Sequence, residues 1–190
     1  RHRAEGLLDA FIDTGKALVA DGADGLSTTC GFLSLFQEEL TRAVNVPVAS
    51  SSLMQVPFVQ KLLPPGQQVG VITISRESLT AEHLLAAGAP QDTPVVGTEN
   101  GREFTRVILE DEKEMDVDAC RQDLLDAGTE LVRDHPQVGA IVLECTNMGP
   151  HAADLRQVLG LPVFSIITFV SWFQSGLLPR RFSGITDDPR

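Results

Sequence analysis

The stretches Leu26-Ser-Thr-Thr-Cys-Gly-Phe32 and Ala140-Ile-Val-Leu-Glu-Cys-Thr-Asn-Met148 decide the fold, because in each a cysteine follows a short predicted strand. Seventeen residues after each cysteine comes a similar proline turn, in Val46-Pro47-Val48 and in Leu161-Pro162-Val163. A similar unit that occurs twice in one chain indicates a duplicated α/β structure. We therefore expect the two cysteines to lie at the same structural point of two repeated units and to face one cleft.

Helical and strand-like segments alternate along the whole chain. Apolar residues at helical spacing predict a helix over 33–44 and another over 117–134, and the β-rich run Gln68-Val-Gly-Val-Ile-Thr-Ile74 predicts a buried strand. Regular alternation of this kind predicts parallel sheets with right-handed crossovers. The predicted fold is α/β, with two pseudo-symmetric lobes, each a mostly parallel sheet flanked by helices, and the active site in the cleft between them.

The strongest break in the pattern is Pro64-Pro65-Gly66, which we take as a lobe boundary. It predicts a first lobe of residues 1–65 plus 162–190 and a second lobe of residues 66–161. The chain begins without Met and almost directly in a helix, which predicts that an upstream segment is missing; the family resemblance given below implies that this segment holds the first strand of the first lobe.

Composition excludes several classes of function. The net charge of −11 argues against nucleic acid and against an anionic membrane as a partner, and no apolar run is long enough to span a bilayer. Three cysteines at long spacings, without a Cys-x-x-Cys motif or a metal-like cluster, predict free thiols in a reducing cytoplasm and no bound metal. Cys120 lies in an amphipathic helical stretch, where packing is its expected role.

The candidate site lies where both cysteines follow a strand and precede a helix. Ligands of open α/β sheets bind beyond the carboxyl ends of the strands, and a helix N-terminus lowers the pKa of a thiol and binds carboxylates. Polar neighbours could bind a substrate carboxylate, although helix capping remains the alternative for the hydroxyls and the amide, and a surface position for the arginine. These candidates, with the two residues that follow the first cysteine, are Thr29, Gly31, Phe32, Ser51, Ser52, Ser75, Arg76, Thr146 and Asn147. Strand alternation predicts that Glu144 points away from Cys145 and has a structural role.

On these residues the chain resembles the aspartate/glutamate racemase superfamily, which includes hydantoin racemases, maleate isomerases and arylmalonate decarboxylases. The resemblance extends from about Leu7 to Phe182. It implies two pseudo-symmetric lobes around a site in which Cys30 and Cys145 act without cofactor or metal, in a homodimer. Gly31-Phe32 stands where the family's amino-acid racemases have Asn-Thr, and Asn147 stands where its glutamate racemases have His.

The resemblance implies a racemase or epimerase that acts on a carbon beside a carboxylate. One thiolate removes the Cα proton while the opposite thiol delivers a proton to the other face. Hydantoin racemisation and a maleate-type isomerisation on the same scaffold remain open, whereas the two cysteines disfavour a decarboxylase, since the decarboxylases that the chain resembles keep one. A different class also remains open, a non-catalytic module that binds a small acid, although such a module needs no paired proton-transfer groups.

Overall fold

The computed structural model describes residues 7–181, in which short parallel strands alternate with helices. Helices α1–α8 are Leu8–Ala20, Gln37–Val44, Val56–Leu62, Ala81–Ala86, Phe104–Leu109, Val117–Asp134, Ala152–Leu159 and Ile166–Leu177. Strands β1–β6 are Leu26–Ser27, Val48–Ala49, Gln68–Thr73, Val95–Gly97, Val138–Leu143 and Val163–Phe164. Short 3₁₀ helices span Gly31–Phe36, Ser52–Gln55 and Thr146–His151.

The strands form two parallel sheets. β1 pairs with β2 in a two-stranded sheet, and the other four strands form a sheet of order β4-β3-β5-β6. The central strand β5 is buried along its whole length, which explains its continuous apolar sequence Val-Gly-Ala-Ile-Val-Leu. The predicted α/β class with parallel sheets flanked by helices is therefore confirmed.

The duplication predicted from the sequence is present in the register of the strands. Leu26 pairs with Val48 and Ile141 pairs with Val163, so in each unit the residue four before the cysteine pairs with the residue eighteen after it. In both units the N–H of the first of these residues also donates to the carbonyl of the proline before the second strand, at 2.9 Å. The repeat is thus a repeat of hydrogen bonding as well as of sequence.

The helices between these strands repeat as well. In each unit the cysteine is followed by a six-residue 3₁₀ helix and then by an eight-residue α-helix, α2 or α7. Each α-helix ends at a left-handed residue, Asn45 with φ 57° and Gly160 with φ 71°. Glycine and asparagine adopt this conformation more readily than other residues, so the sequence stops both helices at the same point.

Three apolar clusters hold these elements. One lies between the four-stranded sheet and helices α6 and α7, around Leu124 and Leu155; a second lies on the opposite face of that sheet, around Leu53 and Val71. The third packs α1 and α2 beneath the small sheet, around Leu40. Both faces of the large sheet are therefore covered, as parallel sheets require.

The end of the chain contacts both repeated units. β6 belongs to the four-stranded sheet, whereas α8 packs against Gly25, where an added Cβ would lie 2.6 Å from a Leu177 carbon. The division into residues 1–65 plus 162–190 and 66–161 stays a prediction, and its first six and last nine residues lie outside the described part. Within residues 7–181, β2 is the one strand that pairs with β1, and no helix is long and apolar enough to cross a membrane.

Candidate active site

Cys30 lies in the turn between β1 and its 3₁₀ helix. Its backbone is extended, with φ −136° and ψ 115°, and it is the residue that directly precedes the helix. The Thr28 hydroxyl holds this turn, because it donates to the Ser50 carbonyl at 2.5 Å and accepts from the Cys30 N–H at 3.5 Å. The thiol is therefore fixed at the carboxyl end of the small sheet, on an exposed residue.

Cys145 occupies the matching position after β5. It also has an extended backbone, with φ −75° and ψ 133°, and it directly precedes the 3₁₀ helix Thr146–His151. Its neighbourhood is more closed, since the residue is half-buried and packs against the apolar cluster under α6 and α7. The two predicted catalytic cysteines thus share one local geometry and differ in their access to solvent.

Each of the two sulfurs has backbone N–H groups from equivalent positions of the chain near it. Neither thiol makes a complete capping hydrogen bond, but the N–H groups two and three residues after each cysteine lie near its sulfur. Burial raises the pKa of Cys30, and the N–H groups of Phe32 and Leu33 act in the opposite direction. Burial raises the pKa of Cys145 to about 11, against the N–H groups of Asn147 and Met148.

The two cysteine turns are joined directly. The Thr146 hydroxyl donates to the Thr29 carbonyl at 2.8 Å, across 117 residues of sequence. The charge of Cys30 also raises the pKa of Cys145, so the two sulfurs lie within electrostatic reach of each other. The structure therefore brings both predicted cysteines, Thr29 and Thr146 to one place.

A buried carboxyl group lies behind this pair. Glu144 is only 1% exposed, and its Oε2 accepts a hydrogen bond from the Thr73 hydroxyl at 2.9 Å. Its Oε1 lies against Gly31, where an added Cβ would stand 2.0 Å away. Burial raises the pKa of Glu144 to about 7, while Thr73 and the Ile74 N–H lower it.

Glu144 is the residue that sequence reasoning missed. Alternation within a strand turns neighbouring side chains apart, but β5 ends at Leu143, so the rule does not extend to Glu144 and Cys145. The charge of Glu144 raises the pKa of both thiols, which places the carboxylate near both. A usable signal was present in the sequence: an acidic residue ends an apolar strand beside one cysteine, and a glycine follows the other.

Two of the hydroxyl groups predicted to bind substrate, those of Ser51 and Ser52, form hydrogen bonds with backbone groups instead. Ser51 accepts from the Leu53 N–H at 3.2 Å, which is the capping role given above as the alternative. Ser52 donates to the Leu143 and Glu144 carbonyls at 2.5 and 3.1 Å and so fixes the end of β5. Both serines are buried, and their part in substrate binding stays a prediction.

The remaining predicted residues spread around the edge of the site. The Ser75 hydroxyl accepts a hydrogen bond from the Ser78 N–H. Arg76 is exposed, and its backbone N–H donates to a Glu99 carboxylate oxygen at 2.9 Å. Phe32 packs edge-on against His83, with 5.0 Å between ring centroids. The exposed Asn147 lines a cavity with the segment 107–115, and Cys30 borders another cavity of about 320 Å³ against α1. Within residues 7–181, no cluster of three or more His, Cys, Asp or Glu side chains could hold a metal ion.

The relatives in sequence carry one enzyme name. The chain is 25% identical over 172 residues to a dimethylsulfoniopropionate lyase of Durusdinium sp. clade D, covering 87% of this chain and 56% of the relative. It is 28% and 29% identical over 187 residues to dimethylsulfoniopropionate lyases 7 and 3 of Emiliania huxleyi, covering 93% of this chain and 54% and 48% of those proteins. The chain thus spans about half the length of these relatives. No protein-family model matches it.

Solved structures with the same fold have other activities in their names. Allantoin racemase from Klebsiella pneumoniae matches with a TM-score of 0.62 and 18% identity, over 93% of this chain and 67% of that one. Unliganded arylmalonate decarboxylase matches at 0.59 and 17%, over 98% and 81%. Glutamate racemase from Aquifex pyrophilus matches at 0.56 and 17%, over 94% and 68%. These likenesses confirm the α/β fold with parallel sheets flanked by helices, and the arrangement in two pseudo-symmetric lobes stays a prediction.

Proposed function

We propose that this chain, which has the fold of the aspartate/glutamate racemase superfamily, is an enzyme that removes a proton from a carbon beside a carboxylate. Cys30 and Cys145 carry the chemistry without a cofactor. The observation that supports this most is their matched placement: each thiol follows a parallel strand and has two N–H groups near its sulfur. The charge of Glu144 raises the pKa of both thiols, and the charge of Cys30 also raises that of Cys145. Packing alone requires no such pair of thiols.

Cys30 is the base in this proposal. It is the more exposed thiol, whereas burial holds the pKa of Cys145 at about 11, so Cys145 keeps its proton at neutral pH. The Cys30 thiolate takes the proton: the C–H bond breaks, an S–H bond forms, and the electron pair moves toward the substrate carboxylate. Hydrogen bonds from groups around the site then stabilise the added charge on the carboxylate oxygens.

We assign elimination as the step that follows. In dimethylsulfoniopropionate a positively charged sulfur sits on the carbon next to the one that loses the proton. When the electron pair forms a carbon–carbon double bond, the carbon–sulfur bond breaks, dimethyl sulfide leaves with that bond's electrons, and acrylate remains. The names of the relatives in sequence, matched over 87–93% of this chain, support this substrate class.

The second candidate is racemisation or epimerisation, as expected from the sequence. The presence of two matched thiols favours it, because elimination needs one base, whereas racemisation also needs a donor on the opposite face. Both reactions begin with the same proton abstraction. They differ in whether the substrate carries a leaving group on the adjacent carbon. The homodimer and the cytoplasmic location expected above belong to this proposal as well.

The test measures release of dimethyl sulfide into the headspace from dimethylsulfoniopropionate, with the wild type, Cys30→Ser and Cys145→Ser. We expect the Cys30 variant to lose at least about a hundredfold in turnover. Cys120→Ala is the matched control, because that thiol is buried in α6, and it should retain activity. If the wild type releases no dimethyl sulfide but exchanges the α-proton of amino acids or hydantoins with solvent, racemisation replaces elimination. If the wild type does neither, the proposal that this chain is an enzyme of this class is contradicted.

A further inference from the structure

Glu144 is a buried ionisable group that the reaction above does not use. Its position is firmly fixed: its backbone N–H donates to the Ile72 carbonyl at 2.9 Å, and its own carbonyl accepts from the Ser52 hydroxyl. The Thr73 hydroxyl donates to the side chain and the Ile74 N–H also stabilises its charged form, but no arginine or lysine among residues 7–181 lowers its pKa. Burying a carboxylate without a cationic partner costs free energy, which indicates that Glu144 has a function at this position.

The surroundings of Glu144 connect it with both thiols. Its Oε1 lies against Gly31, directly after Cys30, and its backbone leads directly into Cys145. Within the described residues 7–181, the titratable groups whose pKa its charge raises are these two thiols, and the Thr73 and Ser52 hydroxyls around it are neutral. Three acidic groups therefore lie within electrostatic reach of one another, and negative charge on one opposes negative charge on the others.

We propose that Glu144 shares a single negative charge with the Cys30–Cys145 pair, so that its carboxyl group is protonated when a thiol is ionised and ionised when both thiols are neutral. In the charging step the S–H bond of a thiol breaks, the electron pair stays on sulfur, and the proton forms an O–H bond on the Glu144 carboxylate. Glu144 is then a positioning residue that acts through the cysteines. This step rests on the proposed function in taking the two thiols as the reactive pair.

The same arrangement accounts for the glycine after Cys30. A Cβ at position 31 would stand 2.0 Å from Oε1 and 2.8 Å from Cδ of Glu144, closer than real Cβ contacts allow. A side chain at position 31 and a carboxyl group in this place therefore exclude each other. Gly31, which departs from the Asn of the amino-acid racemases it resembles, is the residue that makes room for the internal acid.

The test titrates the thiols without any substrate. Alkylation of Cys30 by iodoacetamide is followed by mass spectrometry from about pH 5 to pH 10 in the wild type and in Glu144→Gln. Loss of the carboxylate charge should lower the pKa of Cys30 by about one unit, so alkylation at neutral pH should rise roughly tenfold. Turnover should nevertheless fall by at least about tenfold, because the acceptor of the thiol proton is gone. A purely structural role gives no such opposed pair of changes.

Thr73→Val provides a second, independent variant. It removes the hydroxyl that donates to Oε2 and so should raise the pKa of Glu144. The inflection in the Cys30 alkylation profile that Glu144 imposes should then move to higher pH. Glu38→Gln, on a highly exposed side chain of α2, is the matched control and should leave the profile unchanged.

The outcomes separate this inference from the proposed function. An alkylation profile that is the same in the wild type, in Glu144→Gln and in Thr73→Val overturns the shared charge, whatever the enzyme turns over. A profile that shifts as expected in a protein that releases no dimethyl sulfide supports the shared charge and contradicts the proposed reaction. If Glu144→Gln does not fold, Thr73→Val decides between these results.

Discussion

Gly31→Ala tests the contact that brings the two cysteine turns together. The added Cβ would approach Glu144 Oε1 to 2.0 Å, Cδ to 2.8 Å and Cγ to 2.9 Å. The carboxyl group has little freedom to move away, because it is 1% exposed and is held by Thr73 and by the Ile74 N–H. Overpacking at a rigid buried site costs about 1–3 kcal/mol, and we expect the free energy of unfolding to fall by that amount.

The effect should depend on the side chain at position 144. Glu144→Ala removes the atoms that the new Cβ meets, so Gly31→Ala in that background should cost less, with a coupling energy of about 1–3 kcal/mol. Glu144→Gln keeps the volume and removes the charge, so Gly31→Ala should cost about as much there as in the wild type. This comparison separates steric exclusion from electrostatics.

The assay is urea unfolding followed by circular dichroism for the single and double variants. Gly176→Ala is the matched glycine control, because an added Cβ there has no neighbour within 4 Å and the residue lies in α8. It should be neutral or slightly stabilising. The reasoning is refuted if Gly31→Ala and Glu144→Ala are additive within about 0.5 kcal/mol, since residues without contact behave in that way.

Three further outcomes are expected. Folding raises the pKa of Glu144 from 4.5 to about 7, so the folded state binds this proton more tightly than the unfolded state. The stability of the wild type relative to Glu144→Gln should therefore fall as the pH rises through that window. A constant difference between the urea midpoints of the two proteins from about pH 4 to pH 8 would contradict this. Asp123→Ala should lower the free energy of unfolding by about 3 kcal/mol, because the Asp123 carboxylate accepts hydrogen bonds from three N–H groups before and at the start of α5. The control Asp126→Ala, at an exposed residue, should change it by less than about 0.5 kcal/mol in thermal unfolding. The exposed Cys30 should react with iodoacetamide faster than the buried Cys120, as measured by peptide mapping. The reverse order would contradict the exposed position of the turn that carries Cys30.

The duplicated unit could be predicted because it is encoded locally. A cysteine at the end of a short strand and a proline turn seventeen residues later recur at the same spacing, so each repeat is encoded within about twenty residues of chain. The pairing of Leu26 with Val48 and of Ile141 with Val163 is the structural form of that spacing.

The content of the site was harder to predict, because it depends on contacts between distant residues. The Thr146–Thr29 hydrogen bond spans 117 residues, and no local pattern predicts it. Ser52 has the residue type of a substrate ligand, yet its hydroxyl is used by the carbonyls at the end of β5. Glu144 was left out of the site because strand alternation was applied one residue past the end of the strand, whereas its charge reaches both thiols.

The most direct test of the thiol pair is protection from alkylation by a bound carboxylate. Propionate, a three-carbon acid without a double bond that thiols can attack, is titrated into the protein while the modification rates of Cys30, Cys145 and Cys120 are measured separately by mass spectrometry. If both turns line one site, Cys30 and Cys145 should be protected with the same half-saturating concentration, and Cys120 should be unaffected. Protection of one thiol alone, or of neither at saturating acid, would contradict a shared site.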